Sequence, residues 1–358
     1  MRRVLSRRMA AKGAAVVTAA TAGVFSLAGD GSATAAGDDD RDRRVDVHHH
    51  CLTPAWLAWA EARGVLDRDE LRWWVYWDVA DTLSMMDAAG IATAVMSVRT
   101  PIVHPQVDDA LHRESLRVAY QSVAEVVAAH PGRFAFLAQV RLDNLELARW
   151  SARYALRAGA VGVQFHTHDL CGRYLGDPAF DPLLAELSAE TAVAVVHPAD
   201  LPGTTRQQPA VPGVPNFMCD YLLATTRVGL SMTMHRTLDR FPRLSFVLPH
   251  GGGFLPYIAA RVRTLGGQLS PAVDPGLLRD YLCRFHYDTA APMSPDATPT
   301  LLATVGSARL LYGSDWPALT REQVLAAATA LDTDPALTPV QRARINRGNA
   351  LALFPSLG

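Results

Sequence analysis

The residues best suited to chemistry are gathered in one short run, Val45-Asp46-Val47-His48-His49-His50. The β-rich stretch from Arg44 reads as a strand that ends in three histidines. Side chains alternate faces along a strand, so His48 and His50 point together while His49 points away. Two imidazoles set that way can grip one metal ion. Further ligand-type residues close later strand-like runs: His197 in Val-Val-His-Pro, His250 in Leu-Pro-His-Gly-Gly-Gly and Asp315 in Gly-Ser-Asp-Trp-Pro. Each alone reads as a packed core histidine or a capping aspartate. Together, all at strand ends, they read as a site.

The elements that must position them alternate. Short β-rich runs fall at 44–50, 92–99, 134–140, 161–166, 192–197, 244–248, 284–288 and 310–312. Helical patterns lie between them, near 78–89, 107–129, 144–158, 180–190, 216–240 and 254–265, and two more finish the chain. Eight strand-then-helix units predict an α/β fold, a (β/α)₈ TIM barrel spanning 45–358. A doubly wound open sheet is the alternative, but no GxGxxG or P-loop follows any strand. In a barrel, chemistry sits at the carboxyl ends of the strands, where these residues fall. A Pro/Gly-rich segment at 201–215 has no apolar period and reads as a lid or interface. A Trp-rich insertion (Trp56, Trp59, Trp73, Trp74, Trp77) reads as packing over the barrel or as the wall of an aromatic pocket.

The chain has 358 residues, 49% of them hydrophobic, enough for one large core. Lys+Arg (34) nearly cancels Asp+Glu (35), which points to neither nucleic acid nor an acidic membrane surface. Residues 1–36 read as a leader: Ser6-Arg7-Arg8-Met9-Ala10-Ala11-Lys12 resembles a twin-arginine export signal, a mildly apolar run follows, and Ala33-Thr34-Ala35 offers a cleavage site. Residues 37–44 read as a charged linker. The expectation is a mature protein without a membrane span, delivered outside the cytoplasm after folding with its cofactor. The four cysteines, Cys51, Cys171, Cys219 and Cys283, show no CxxC spacing and are expected to be thiols.

Three neutral imidazoles and one carboxylate suit Zn²⁺, and Mn²⁺ or Fe²⁺ accept the same donors. His48, His50, His197 and Asp315 are the expected ligands of one divalent ion. His250, before its glycine turn, is the expected general acid/base, and Asp315, besides holding the metal, is the other expected catalytic residue, either of the two assisting proton transfer. Arg99, ending the second strand, is placed to bind a substrate carboxylate. His166, in His166-Thr167-His168, is a pocket-lining residue.

The runs DVHHH, GAVGVQFHTH, VVHPAD, VLPHGGGFLPYIAAR and LYGSDWP resemble the amidohydrolase superfamily, in the branch of aminocarboxymuconate-semialdehyde decarboxylase. GRYLGDPAFDPLLAEL, RFHYDTA and NRGNALALF are most similar to its 6-methylsalicylate decarboxylase-type members. The resemblance implies the same metal set, with His250 catalytic and a single metal. It also implies that Arg261 reaches the substrate carboxylate of a neighbouring subunit, hence a homodimer. The implied activity is non-oxidative decarboxylation of a small aromatic or unsaturated carboxylic acid. A metal-dependent lactonase or amidohydrolase on the same ligands is the alternative, and a secreted non-catalytic binding protein the remote one. Nothing in the ligand positions separates decarboxylase from hydrolase.

Overall fold

The computed structural model describes residues 44–66, 76–98, 100, 108–190, 192–205, 208–291 and 293–358. The leader, most of the linker, Arg99, Trp73 and Trp74 lie outside the described residues. Eight strands form one parallel sheet in sequential order: β1 (Arg44–Cys51), β2 (Ile91–Val98), β3 (Phe134–Val140), β4 (Gly162–His166), β5 (Val193–His197), β6 (Ser245–Leu248), β7 (His286–Asp288) and β8 (Leu310–Leu311). The sheet curls back on itself. Val47 N donates to Tyr312 O at 3.0 Å, Asp315 N to His48 O at 2.9 Å and His50 N to Trp316 O at 2.6 Å. The result is the expected (β/α)₈ barrel.

The helices are α1 (Pro54–Ala62), α2 (Val79–Ala88), α3 (Asp109–Ala129), α4 (Leu145–Arg157), α5 (Asp181–Ala189), α6 (Asp220–Met234), α7 (Thr237–Arg240), α8 (Leu255–Leu265), α9 (Pro275–Arg284), α10 (Thr298–Val305), α11 (Arg321–Asp332), α12 (Pro339–Ala343) and α13 (Asn349–Leu353). Among the described residues no helix is long and apolar enough to cross a membrane. Their starts follow capping chemistry. The side chains of Thr53, Asp78, Asp108 and Asn144 each accept from a backbone N–H in the first turn of the helix they precede.

Among the departures from the sequence reading, two have a visible cause. The helix expected over 216–240 breaks, because Arg236 adopts a left-handed φ of 54° between α6 and α7. Arg240 supports the break, its guanidinium donating to His235 O and Gly176 O at 2.9 Å each. Arg284 ends α9 instead of opening β7; it pairs with Asp239 at 2.7 Å and Asp280 at 2.9 Å.

The core has two parts. Val45, Val47, Val95, Leu137, Val195, Val247 and Leu311 pack together as the apolar floor inside the barrel, closed beneath by Ala350 and Phe354 around α13. The alternate residues Ala94, Met96, Phe136, Val163, Phe165, Val196 and Phe246 pack outward against the helices. Strict alternation from Val45 and Val47 would turn His48 and His50 away from the interior. The β1–β2 register prevents this. Asp46 pairs with Ala94 and His49 with Met96, so three steps on β1 answer two on β2. That bulge resets the alternation. Asp46 and His49 face outward, while His48 and His50 face in above the apolar floor.

Of the insertion's described tryptophans, Trp56 and Trp77 are buried, and Trp56 Nε1 donates to Ser115 Oγ on α3 at 3.0 Å. Trp59 Nε1 donates to Glu114 at 3.0 Å, also on α3. These rings pack over the barrel, the first of the two expectations. The four cysteines are free thiols.

Candidate active site

The carboxyl ends of β1, β5, β6, β7 and β8 converge on one cluster. His48, His50 and His197 each present a ligand atom, all within 4.8 Å of one another, and so do His48, His250 and Asp315. The imidazole centroids stand 5.1 Å (His48–His50), 5.4 Å (His48–His197) and 5.0 Å (His50–His197) apart, edge to face. Asp315 closes the group, its Oδ1 lying 3.1 Å from His50 Nε2 and 3.3 Å from His48 Nε2.

Tautomers follow from the partners. A carboxylate and a carbonyl can only accept, so His48 Nδ1–H donates to Asp288 Oδ2 at 2.8 Å and His197 Nδ1–H to Pro198 O at 2.7 Å. In each neutral ring the lone pair is then on Nε2, the atom a metal needs. His48 Nε2 is buried, 3.3 Å from Asp315 Oδ1.

The electrostatics demand a cation. Asp288 is 0% exposed and Asp315 14%, two carboxylates set close together among the imidazoles. Burial acts to lower the His48 pKa, but Asp288 and Asp315 outweigh it and push it up to about 10. Burial likewise acts to raise Asp315, yet His48 together with hydrogen bonds from His250, His48 and His50 holds it well below the ordinary carboxylate range. Asp288 is also held down, by His48 and His250 against burial. The proton that His48 retains stands where a divalent ion would put its charge. The donor set therefore fits one such ion.

His250 stands on the other side of the cluster, its ring centroid 5.1 Å from that of His48 and its Nε2 3.8 Å from Asp315 Oδ2. It sits at φ 54° and Asp315 at φ 58°, left-handed conformations uncommon outside glycine. The glycines after His250 serve packing. A Cβ on Gly253 would lie 2.2 Å from Leu222 O, and one on Gly252 2.7 Å from the Tyr287 ring. The turn is thus tight against α6 and β7.

His166 ends β4 in register with His197 but belongs to neither converging group. His168 is taken up structurally, Nδ1 lying 2.8 Å from Asp169 O and Nε2 2.9 Å from Asp200 O. Arg261 is exposed on α8.

Two carboxylates that the sequence reading passed over frame the site. Asp288 grips His48, and its Oδ1 accepts from His250 N at 2.8 Å. Asp46, on the outward face of the β1 bulge, accepts from Ser314 Oγ at 2.5 Å, Ser314 N at 2.9 Å and His49 Nδ1 at 3.0 Å. The signal for Asp288 was present, since it closes β7 as the ligands close their strands. An acid between two valines, Asp46, was the other clue.

The family model described as Amidohydrolase matches residues 45–356. The chain belongs to that family. As an amidohydrolase it has relatives that are decarboxylases. The 6-methylsalicylic acid decarboxylase of Aspergillus aculeatus is 29% identical over 88% of this chain and 96% of its own length. The gamma-resorcylate decarboxylase of a Rhizobium species is 27% identical over 77% of this chain and 87% of its own. Among solved structures, a dihydroxybenzoic acid decarboxylase from Polaromonas, with bound manganese and the inhibitor 2-nitroresorcinol, shares the fold. Its TM-score is 0.73 at 23% identity, over 87% of this chain and 96% of that one.

Proposed function

We propose that the chain is a metal-dependent decarboxylase of a small aromatic or unsaturated carboxylic acid, with salicylate-type ortho-hydroxy acids the first class to test. The observation that carries this reading is the cation-demanding cluster with His250 at its side, in a chain whose relatives decarboxylate such acids. His48, His50, His197 and Asp315 would hold one divalent ion; zinc is the expected metal, with manganese or iron its competitors. When bound, the ion supplies Lewis acidity to the acid's oxygens.

The chain's own residues do the rest. As the C–CO₂ bond breaks, its electron pair stays on that carbon, and His250 Nε2 delivers the proton that forms the new C–H bond. Asp315 Oδ2 lies 3.8 Å from His250 Nε2, on the side of the cluster where the proton is delivered. The described mouth residue His166 and Arg99 are assigned to substrate binding.

A homodimer belongs to the same reading. Tyr257, 78% exposed, and Arg261 share one exposed face of α8 at a four-residue spacing. Phe217 and Met218, 49% and 63% exposed, lie in the long β5–α6 connection. A second copy would cover such surface and bring Arg261 toward its neighbour's substrate. Twin-arginine export is proposed on the Ser6–Lys12 run.

The test offers the purified, metal-assayed protein a panel of salicylate-type acids beside lactones and amides. CO₂ release that disappears in Asp315→Asn and on chelation is the expected result. Lactone or amide cleavage without CO₂ would replace the reading with a hydrolase.

A further inference from the structure

We propose that Asp288 is a positioning residue that sets both working histidines at once, fixing the tautomer of His48 through one oxygen and the backbone of His250 through the other. The inference rests on the reading above, in which His48 holds the ion and His250 delivers the proton.

Asp288 is the last residue of β7 and is completely buried. Two of its three side-chain bonds go to the histidines of the site. Oδ2 takes the His48 Nδ1 proton at 2.8 Å; Oδ1 takes His250 N at 2.8 Å and Ala290 N at 3.1 Å. A buried carboxylate is costly unless its oxygens are filled, and here they are filled by donors from three different segments.

Each contact decides something for the chemistry. A neutral imidazole carries one N–H, so donation from Nδ1 to Asp288 leaves the His48 lone pair on Nε2, which faces Asp315 and the other imidazoles. The anionic partner also makes that ring a better donor to a metal. At the other oxygen, a left-handed conformation is strained for a residue other than glycine. The charge-assisted bond that His250 N donates to Asp288 Oδ1 offsets that strain and keeps His250 ahead of its glycine turn. One carboxylate thus ties the metal-holding side of the cluster to the proton-delivering side.

The experiment compares wild type with Asp288→Asn, using Mn²⁺ and Zn²⁺ as probes in chelator competition, and Co²⁺ for its visible spectrum. An asparagine keeps an oxygen for His250 N and Ala290 N but offers an N–H₂ to His48 Nδ1, which would move the His48 proton to Nε2. The expected result is metal binding weakened by about 10–100-fold and a changed Co²⁺ spectrum, with circular dichroism that matches the wild type. Asp288→Glu, which keeps the charge but displaces the oxygens, is read the same way if the asparagine variant does not fold. Unchanged metal affinity and spectrum in a folded variant, while His48→Ala weakens binding, would overturn the role of Asp288 alone. If His48→Ala also leaves affinity unchanged, the ligand assignment itself fails.

Discussion

Stripping the divalent ion from this protein should make its stability depend on alkaline pH through one residue, His48. In that state the ring is held between Asp288 Oδ2 at 2.8 Å and Asp315 Oδ1 at 3.3 Å, and the two carboxylates push its pKa to about 10 from 6.5. A folded pKa above the unfolded one contributes stability that is complete below pH 6.5 and is lost as pH rises through about 10. At about 1.4 kcal/mol per tenfold change in proton affinity, the full contribution is roughly 5 kcal/mol. About 3 kcal/mol of it should vanish between pH 6.5 and about pH 9.5, a fall in Tm of roughly 6 °C for a chain of this size. The lowered pKa of Asp315 describes the same contact from the other side and is not added. Burial raises Tyr120, Tyr312 and Cys51 in the fold, so ionisation of these groups in the unfolded chain adds its own loss of stability toward the top of the window, which is common to wild type and a His48 variant and cancels in their difference. The assay is calorimetry of the metal-stripped protein across that range, beside His48→Gln, which cannot titrate. A flat Tm in the wild type, or the same slope in both proteins, would refute the reasoning.

Three further outcomes follow from single contacts. Gly253→Ala places a methyl 2.2 Å from Leu222 O at a φ of 64°, and should cost at least about 2 kcal/mol in urea unfolding; a change under about 0.5 kcal/mol would mean the turn can move. Ser314→Ala removes the shortest bond to buried Asp46 and should cost about 1–3 kcal/mol while leaving the metal content of the folded protein intact, read by thermal melts and elemental analysis. Arg261→Ala, on an exposed helix face, should change stability by less than about 0.5 kcal/mol yet raise the KM for the acid substrate. An unaltered KM would remove the arginine from the site.

The fold was legible because eight β-rich runs alternate with capped helices, and such a pattern in one chain leaves few architectures. The convergence of His48, His50, His197, His250 and Asp315 was legible for the same reason, since barrel strands end at one mouth. The β1 bulge was not, because an extra residue leaves no mark in composition; it shows only where Asp46 and His49 turn to the same face. The break at Arg236 was hidden too, as no glycine or proline marks it. Asp288 and Asp46 were visible as residues but not as partners. Their work is done through other side chains, across sequence separations of 240 and 268 residues for their contacts with His48 and Ser314. No spacing rule reaches that far.

The most direct test of the central claim follows the carboxyl carbon. A salicylate-type acid labelled with ¹³C at its carboxyl would be turned over in D₂O by metal-loaded protein and watched by NMR. The account predicts labelled CO₂ and bicarbonate, with one deuterium on the carbon that bore the carboxyl group, and neither signal from Asp315→Asn. Release of label without deuterium at that carbon would remove His250 from the protonation step, and a product that keeps the labelled carboxyl would contradict decarboxylation altogether.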